Sequence, residues 1–408
     1  MRNVIYLDNC ATTKVGREAL EVFNLYSSAS FFNPSAAYEQ AYEVRRDIER
    51  ARGELIEGFS GGRSDLGSGW GRWNLVFTSG GTEANNLAVR GIVGGSVGGI
   101  SSSVGVVSSG KRRVFVTTEG EHPSVYDVGK DLKARGYEVR FAKLNRGGGV
   151  DLQHLLSLIR ADTALVSVIH VNNETGVVNN LGEIASAVKD RARALGNIKL
   201  VFHSDGVQAF GKLDFTKLDF SSVDLYSVSG HKLGAPKGIG GLFIRDKVLL
   251  SPQIVGGGQE SGKRSGTENV AGIMAFASAF KCAVGFTNDN RFNEFKRYIK
   301  ESLSQHIVLY NMADTAEHIF VFSVKEDKRG GHKGKYAKAE VLVRQLSIKG
   351  VIVGNGAACS SKIGVNRVLL AMGLSKDMAG GTLRLSFSKD TTIGEIKKFC
   401  EALKQILE

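Results

Sequence analysis

Short apolar runs alternate with amphipathic helical patterns through most of this 408-residue chain, and that alternation restricts the fold more than any other feature. Apolar runs lie at 75–78, 114–117, 164–171, 200–203, 225–228 and 241–244. Runs of that length read as buried strands. Between them, Ala41, Val44, Ile48, Ala51 and Leu55 recur at three-to-four spacing, which is one face of a helix, and 181–195 repeats the pattern. Strands that alternate with helices must cross over, so the class is α/β, with a mostly parallel sheet covered by helices.

The texture changes after about residue 268. A long helical pattern runs to about 304. It is followed by a strand at 319–324, a helix at 339–348, strands at 351–354 and 383–387, and a last helix at 393–407. This predicts a second, smaller α+β domain. The expected division is 12–260 for the larger domain, with 1–11 and 261–408 forming the smaller. Two Gly/Ser-rich stretches, 60–73 and 91–110, read as insertions in surface loops.

Hydrophobic residues make up 42% and charged residues 23%, the balance of an ordinary globular protein. No run approaches the ~18 apolar residues of a spanning helix. The first ten residues carry no long apolar stretch, so the expected address is cytoplasmic, with no membrane partner. The net charge of +12 is compatible with nucleic acid, an acidic protein partner or solubility alone. The basic residues are mostly scattered, apart from the run 325–338, which reads as a solvated loop with a binding patch as the alternative, so direct nucleic-acid binding is not expected. Cys10, Cys282, Cys359 and Cys400 form no C-x-x-C pair, which gives no zinc or redox motif and no expected metal.

Six segments carry chemistry. In SVSGHK, Lys232 follows a strand pattern at a strand-to-loop junction, where an amine can form a Schiff base with an aldehyde cofactor; a surface lysine is the plainer alternative. In FHSDGVQAFGK, Asp205 lies just past a buried strand. It can pair with a pyridinium nitrogen, with Gln208 donating to a phenolic oxygen, or it can cap the next helix. FTSGGTEANN ends a strand in glycines and Thr82 before a helix, which makes an anion cradle or an ordinary cap. His122 opens a helix with Pro123 and can stack on a flat ring and move protons, or be structural. Cys359 lies in the small-residue loop GAACSS, where a thiol is accessible, whereas the other three cysteines read as packing residues. Arg384 sits inside an apolar strand and needs an anion, either a substrate carboxylate or a structural salt bridge.

Together SGGTEANN, EHPSV, HVNNETG, SDGVQAFGK, SGHKLGAPKGIG, GGGQESGKRSGTEN and GAACSS, in this order, resemble the pyridoxal-phosphate-dependent cysteine desulfurases of the NifS/IscS kind, in the class V aminotransferase group. The resemblance runs from YLDNCATT to the last helix. It implies fold type I of the pyridoxal-phosphate-dependent transferases, and pyridoxal 5'-phosphate as cofactor. It implies Lys232 as the Schiff-base lysine, Asp205 on the pyridinium nitrogen, Gln208 on the phenolic oxygen and His122 stacked on the ring. Gly81, Thr82, Ser229 and His231 would hold the phosphate, and Thr267 would reach the phosphate of the other subunit of a homodimer. Asn173 and Arg384 would contact the substrate carboxylate or the cofactor. Cys359 would be the nucleophile that takes sulfur from L-cysteine and passes it to an acceptor protein, for iron–sulfur cluster assembly or tRNA thiolation.

The sequence departs from the family pattern at Asn9–Cys10, at Tyr38 and at Gln259, none of them a core catalytic position. The segment after Cys359, SSKIGVNRVLLAMG, has the length of the family's long cysteine loop. The chain ends at Glu408 without the longer tail that scaffold-docking members carry, so the resemblance carries desulfuration further than delivery to a scaffold. The alternatives are selenocysteine lyase or another class V reaction, and a mainly RNA-binding sulfur donor. Cys359 argues against an aminotransferase, and the intact Lys232, Asp205 and His122 argue against a pure binding role.

Overall fold

The computed structural model describes residues 4–62, 72–94, 114–284, 290–326, 336–355 and 366–408. The chain runs β1 (Ile5–Leu7), α1 (Arg17–Ser28), α2 (Glu39–Ser60), β2 (Trp73–Thr78), α3 (Gly81–Val93), β3 (Val114–Thr118), α4 (Pro123–Ala134) and β4 (Glu138–Ala142). It continues α5 (Leu152–Ser157), β5 (Thr163–Ser167), α6 (Leu181–Ala194), β6 (Val201–Asp205), β7 (Leu225–Ser229), β8 (Gly240–Arg245), α7 (Val270–Val284) and α8 (Arg291–Ser302). It closes with β9 (Ile307–Leu309), β10 (Ile319–Val324), α9 (Ala339–Ile348), β11 (Val351–Asn355), α10 (Arg367–Ala371), α11 (Lys376–Gly380), β12 (Thr382–Ser386) and α12 (Ile393–Leu407).

The larger sheet has the order β2-β8-β7-β6-β5-β3-β4. From β7 through β6, β5 and β3 to β4 every pairing is parallel. β8 is antiparallel to both neighbours, so β2 runs the same way as β7 and β8 alone opposes. One consequence matters for the site: β2, β3, β5, β6 and β7 all end on the same edge, where α/β sheets bind ligands. The smaller sheet, β1-β11-β12-β10-β9, is mostly antiparallel.

The predicted helical face on α2 is the buried one: Ala41, Val44, Ile48, Ala51 and Leu55 are all within 3% of full burial. Phe59 at its end stacks on Phe243 of β8, with ring centroids 4.2 Å apart. Fully burying a side chain of that size contributes about 2–3 kcal/mol each. A second core joins Leu7, Phe322, Val353, Leu385, Phe399 and Leu403 around the smaller sheet.

Three expectations need correction. The single helical pattern from 268 to 304 is two helices, α7 and α8. Although α7 lies beyond residue 260, its Val270, Ile273 and Phe276 belong to the core of the larger sheet, because its apolar face packs on α1 and α2. The insertion expected at 91–110 begins inside α3: Ile92 and Val93 are buried, and a Cβ at Gly91 would meet Leu250 and the Ser251 carbonyl at 2.8 Å. Likewise Ser60 still belongs to α2. The greater part of both Gly/Ser stretches lies outside the described residues. Among the described residues no helix is long and apolar enough to cross a membrane.

Candidate active site

The shared strand edge gathers the predicted residues. β7 ends at Ser229 and turns through a single 3₁₀ turn, Gly230–Lys232. The Lys232 Nζ donates to the carbonyls of Cys10 at 2.6 Å and Ala11 at 2.8 Å. The neighbouring strand β6 ends at Asp205, which is 3% exposed and is the last strand residue rather than the first of the loop. A run of turns, not a helix, follows it, so the helix-cap alternative falls away. Asp205 Oδ1 accepts from Val207 N at 3.0 Å, and Oδ2 accepts from Asn85 Nδ2 at 2.8 Å.

Asn85 is fully buried on α3, and its Nδ2 also donates to Ser124 Oγ at 2.7 Å. Ser124 Oγ lies 2.8 Å from His122 Nδ1, which also accepts from Ser124 N and so caps α4. A polar chain thus runs Asp205–Asn85–Ser124–His122, tying the carboxylate on one strand to the imidazole beyond another. Burial lowers the His122 pKa, with Asp205 opposing and the Lys232 and Arg367 cations adding to the drop. The ring is therefore neutral and flat, suited to stacking and to proton transfer. Sequence reading missed Asn85 and Ser124. The available signal was a polar residue beside Ala84, Leu87 and Ala88 on the buried face of a helix.

Beside these lies a cleft of about 380 Å³ lined by Thr82, Asn86, His122, Ser124 and Asp127. α3 opens onto the same edge. Its capping Gly80 has φ 153°, a conformation that suits glycine, and a Cβ at Gly81 would meet Val207 Cγ2 at 2.6 Å. Thr82 is exposed in the first turn. Ser229 Oγ is buried with no hydrogen-bond partner among the described residues, an unusual state for a hydroxyl. His231 Nδ1 lies 3.1 Å from Thr12 Oγ1. Its pKa falls to about 4 through burial and then the nearby Lys232, Lys237 and Lys212. A waiting hydroxyl, a helix N-terminus and a glycine approach suit a phosphate. A buried carboxylate, a flat imidazole and an amine suit a protonated heteroaromatic aldehyde. These residues fit pyridoxal phosphate.

Arg384 enters from β12 of the smaller sheet, 4% exposed. Nη2 donates to Asp8 Oδ1 at 2.7 Å and Nη1 to the Asn173 carbonyl at 2.7 Å, while Nε has no partner among the described residues. Burial works against its charge, but Cys10 and Asp8 outweigh it and hold the pKa above its ordinary value. The salt-bridge alternative is thus real: both terminal nitrogens are occupied, and Nε is buried where a Cβ at Gly354 would lie 3.1 Å from it. Glu174, next to Asn173, is pushed up to about 7 by burial, and its Oε2 has no partner among the described residues.

Thr267 stands exposed on the surface just ahead of α7. Cys359 lies outside the described residues, within 356–365. The described residues begin again at Asn366. Residues 367–371, expected in the long cysteine loop, are instead the helix α10, capped by Asn366 and packed through Val368 and Leu369. Arg367 donates to the carbonyls of Glu119 and Glu121 and lies 3.7 Å over the Tyr126 ring, so this end of the cysteine segment is fastened to the turn that carries His122. Sequence reading gave Arg367 no role, because its partners are backbone carbonyls that only the fold brings near. Of the cysteines expected to be packed, Cys10 and Cys400 are buried but Cys282 is only half-buried.

The class V aminotransferase model matches residues 5–399. Cysteine desulfurase 2 of Trichormus variabilis is 33% identical over all of this chain and 94% of its own length. Among solved structures, a NifS-like protein superposes with a TM-score of 0.82 at 28% identity, covering 99% of each chain. SspA, solved in complex with cysteine, gives 0.74 at 28% identity over 94% of this chain and 98% of its own. The chain belongs to the class V aminotransferase family, and within it to the cysteine desulfurases. Its fold is fold type I of the pyridoxal-phosphate-dependent transferases.

Proposed function

We propose that this enzyme converts L-cysteine to L-alanine and carries the released sulfur as a persulfide on Cys359. The observation that supports this reading best is the buried Asp205 carboxylate, held by Asn85 beside the Lys232 amine and the neutral His122, at one strand edge of a chain similar to cysteine desulfurases. Bound pyridoxal phosphate would act as an electron sink for negative charge at the substrate Cα. In this reading Asp205 holds its ring nitrogen, Gln208 its phenolic oxygen, His122 its face, and Gly81, Thr82, Ser229 and His231 its phosphate. Arg384 binds the substrate carboxylate, with Asn173 alongside. Lys232 Nζ takes the Cα proton, and Lys232 with His122 moves protons toward the product. The Cys359 thiolate attacks the substrate sulfur, the Cβ–S bond breaks, and an S–S bond forms. Cysteine plus thiol become alanine plus persulfide, which balances without an outside oxidant.

Cys359 lies four residues beyond Asn355, where β11 stops, and Gly354 of that strand pairs with Arg384. Thr267 would complete the phosphate site of a partner subunit, which makes the enzyme a homodimer. The division into a larger cofactor-binding domain and a smaller domain carrying Cys359, a cytoplasmic location, and an acceptor in iron–sulfur cluster assembly or tRNA thiolation belong to the same proposal. The test is the visible spectrum of the purified enzyme with sulfide and alanine release from L-cysteine under reductant. Equal sulfide and alanine are expected. Cys359→Ser should keep the cofactor band and lose persulfide formation, and full sulfur transfer by that variant would overturn the role of Cys359.

A further inference from the structure

Gln208 is 3% exposed, and both ends of its amide are specified by their neighbours. Oε1 lies 3.0 Å from Lys212 Nζ, and Nε2 lies 3.0 Å from the Cys10 carbonyl. An ammonium only donates and a carbonyl only accepts, so the amide has one permitted orientation. The same Cys10 carbonyl accepts from Lys232 Nζ. Lys212, Gln208, Cys10 and Lys232 therefore form one continuous row, and Nε2 keeps a second hydrogen beyond the one given to Cys10.

Lys212 is an expensive residue to keep there. Among the described residues its hydrogen-bond partner is the neutral Gln208 amide, not a carboxylate. Burial, with Lys232 and Arg384 adding and Cys10 opposing, brings its pKa down to about 8. Lys212 is partly buried, and an ammonium withdrawn from water without a counter-ion costs stability, so a purely structural staple would be better made from an apolar side chain.

We propose that Lys212 is a positioning residue, whose ammonium fixes the Gln208 amide so that Nε2 stays a donor toward the cofactor's phenolic oxygen beside Lys232. The proposal rests on the reading under Proposed function. A donor at that oxygen stabilises its anion and lets the Lys232 nitrogen, conjugated with the cofactor, lose its proton at lower pH. The experiment is a pH titration of the visible band of the cofactor-loaded enzyme, for the parent, Gln208→Ala, Lys212→Met and the double variant. Gln208→Ala and Lys212→Met should each raise the midpoint, by up to about one pH unit. The double variant should move it no further than Gln208→Ala alone, because Lys212 acts through Gln208. An unchanged midpoint in Lys212→Met overturns the proposal. So does an equal further rise when Lys212→Met is added to Gln208→Ala, which would mean that its charge acts directly. Lys212→Leu, with the same expectation, replaces a Lys212→Met that does not fold. A parent enzyme without any visible band would overturn the functional reading and this proposal together, whereas a band that ignores Lys212 overturns only the latter.

Discussion

Replacing Asn85 by leucine tests whether the tie between α3 and β6 holds the Asp205 carboxylate in place. Leucine has nearly the same shape, so packing changes little. Two hydrogen bonds from Nδ2 are lost, one to Asp205 Oδ2 and one to Ser124 Oγ. Ser124 Oγ retains His122 Nδ1, but Asp205 Oδ2 is left buried without its donor. Part of the loss is returned, because Asn85 Oδ1 has no partner to lose among the described residues. The single-variant change therefore mixes three effects, and a double-mutant cycle separates them. Asn85→Leu, Asp205→Ala and the double variant are compared by urea unfolding. A hydrogen bond to a charged group contributes about 1.5–3 kcal/mol, and that is the coupling expected. With a slope of about 3 kcal/mol per molar urea, a loss of 2 kcal/mol moves the midpoint by about 0.7 M. A coupling below about 0.5 kcal/mol would refute the idea that Asn85 orients the carboxylate.

Two further outcomes follow from buried groups around the same edge. Burial raises the Glu121 pKa to about 8, above its ordinary value of 4.5, so the folded chain holds a proton there that the unfolded chain has released. Its contribution is full below about pH 4.5 and is lost as the pH rises toward 8, at up to about 1.4 kcal/mol per unit. Melting temperatures of Glu121→Gln between pH 5 and 8 should fall less steeply than the parent's, and parallel slopes would contradict the assignment. At Gly206, directly after Asp205, a Cβ would lie 1.9 Å from the fully buried Tyr226 ring. Gly206→Ala should cost about 1–3 kcal/mol or more by overpacking and weaken cofactor affinity through Asp205, measurable by calorimetry and cofactor titration. An unaltered melting temperature would count against the packing argument.

Much of this protein was legible in its periodicities. The strands β6, β7, β8 and β10, the buried face of α2, and the helices α9 and α12 lie where the apolar spacing predicts, because burial on one or both faces writes itself into the pattern of side chains. The motifs also put Lys232, Asp205 and His122 at strand or helix ends, where α/β sheets hold ligands. The break between α7 and α8 and the helical content of 91–93 and 367–371 were not legible. Gly91 suggests a loop but allows close packing on Leu250 and Ser251, and Val368 and Leu369 of α10 pack beside Leu144 and Tyr310, partners far away in sequence.

What the sequence determined by itself was the inventory: an α/β chain whose motifs name an amine, a carboxylate, an imidazole and a thiol. What only the tertiary structure decided was how these are held. The Cys10 carbonyl meets Lys232 and Gln208 across about 200 residues, Arg384 meets Asp8 across 376, and Asn85 joins Ser124 to Asp205. Such partners leave no local signature, since a hydrogen bond between distant segments needs only one polar atom from each, and that atom is often a backbone carbonyl that every residue carries.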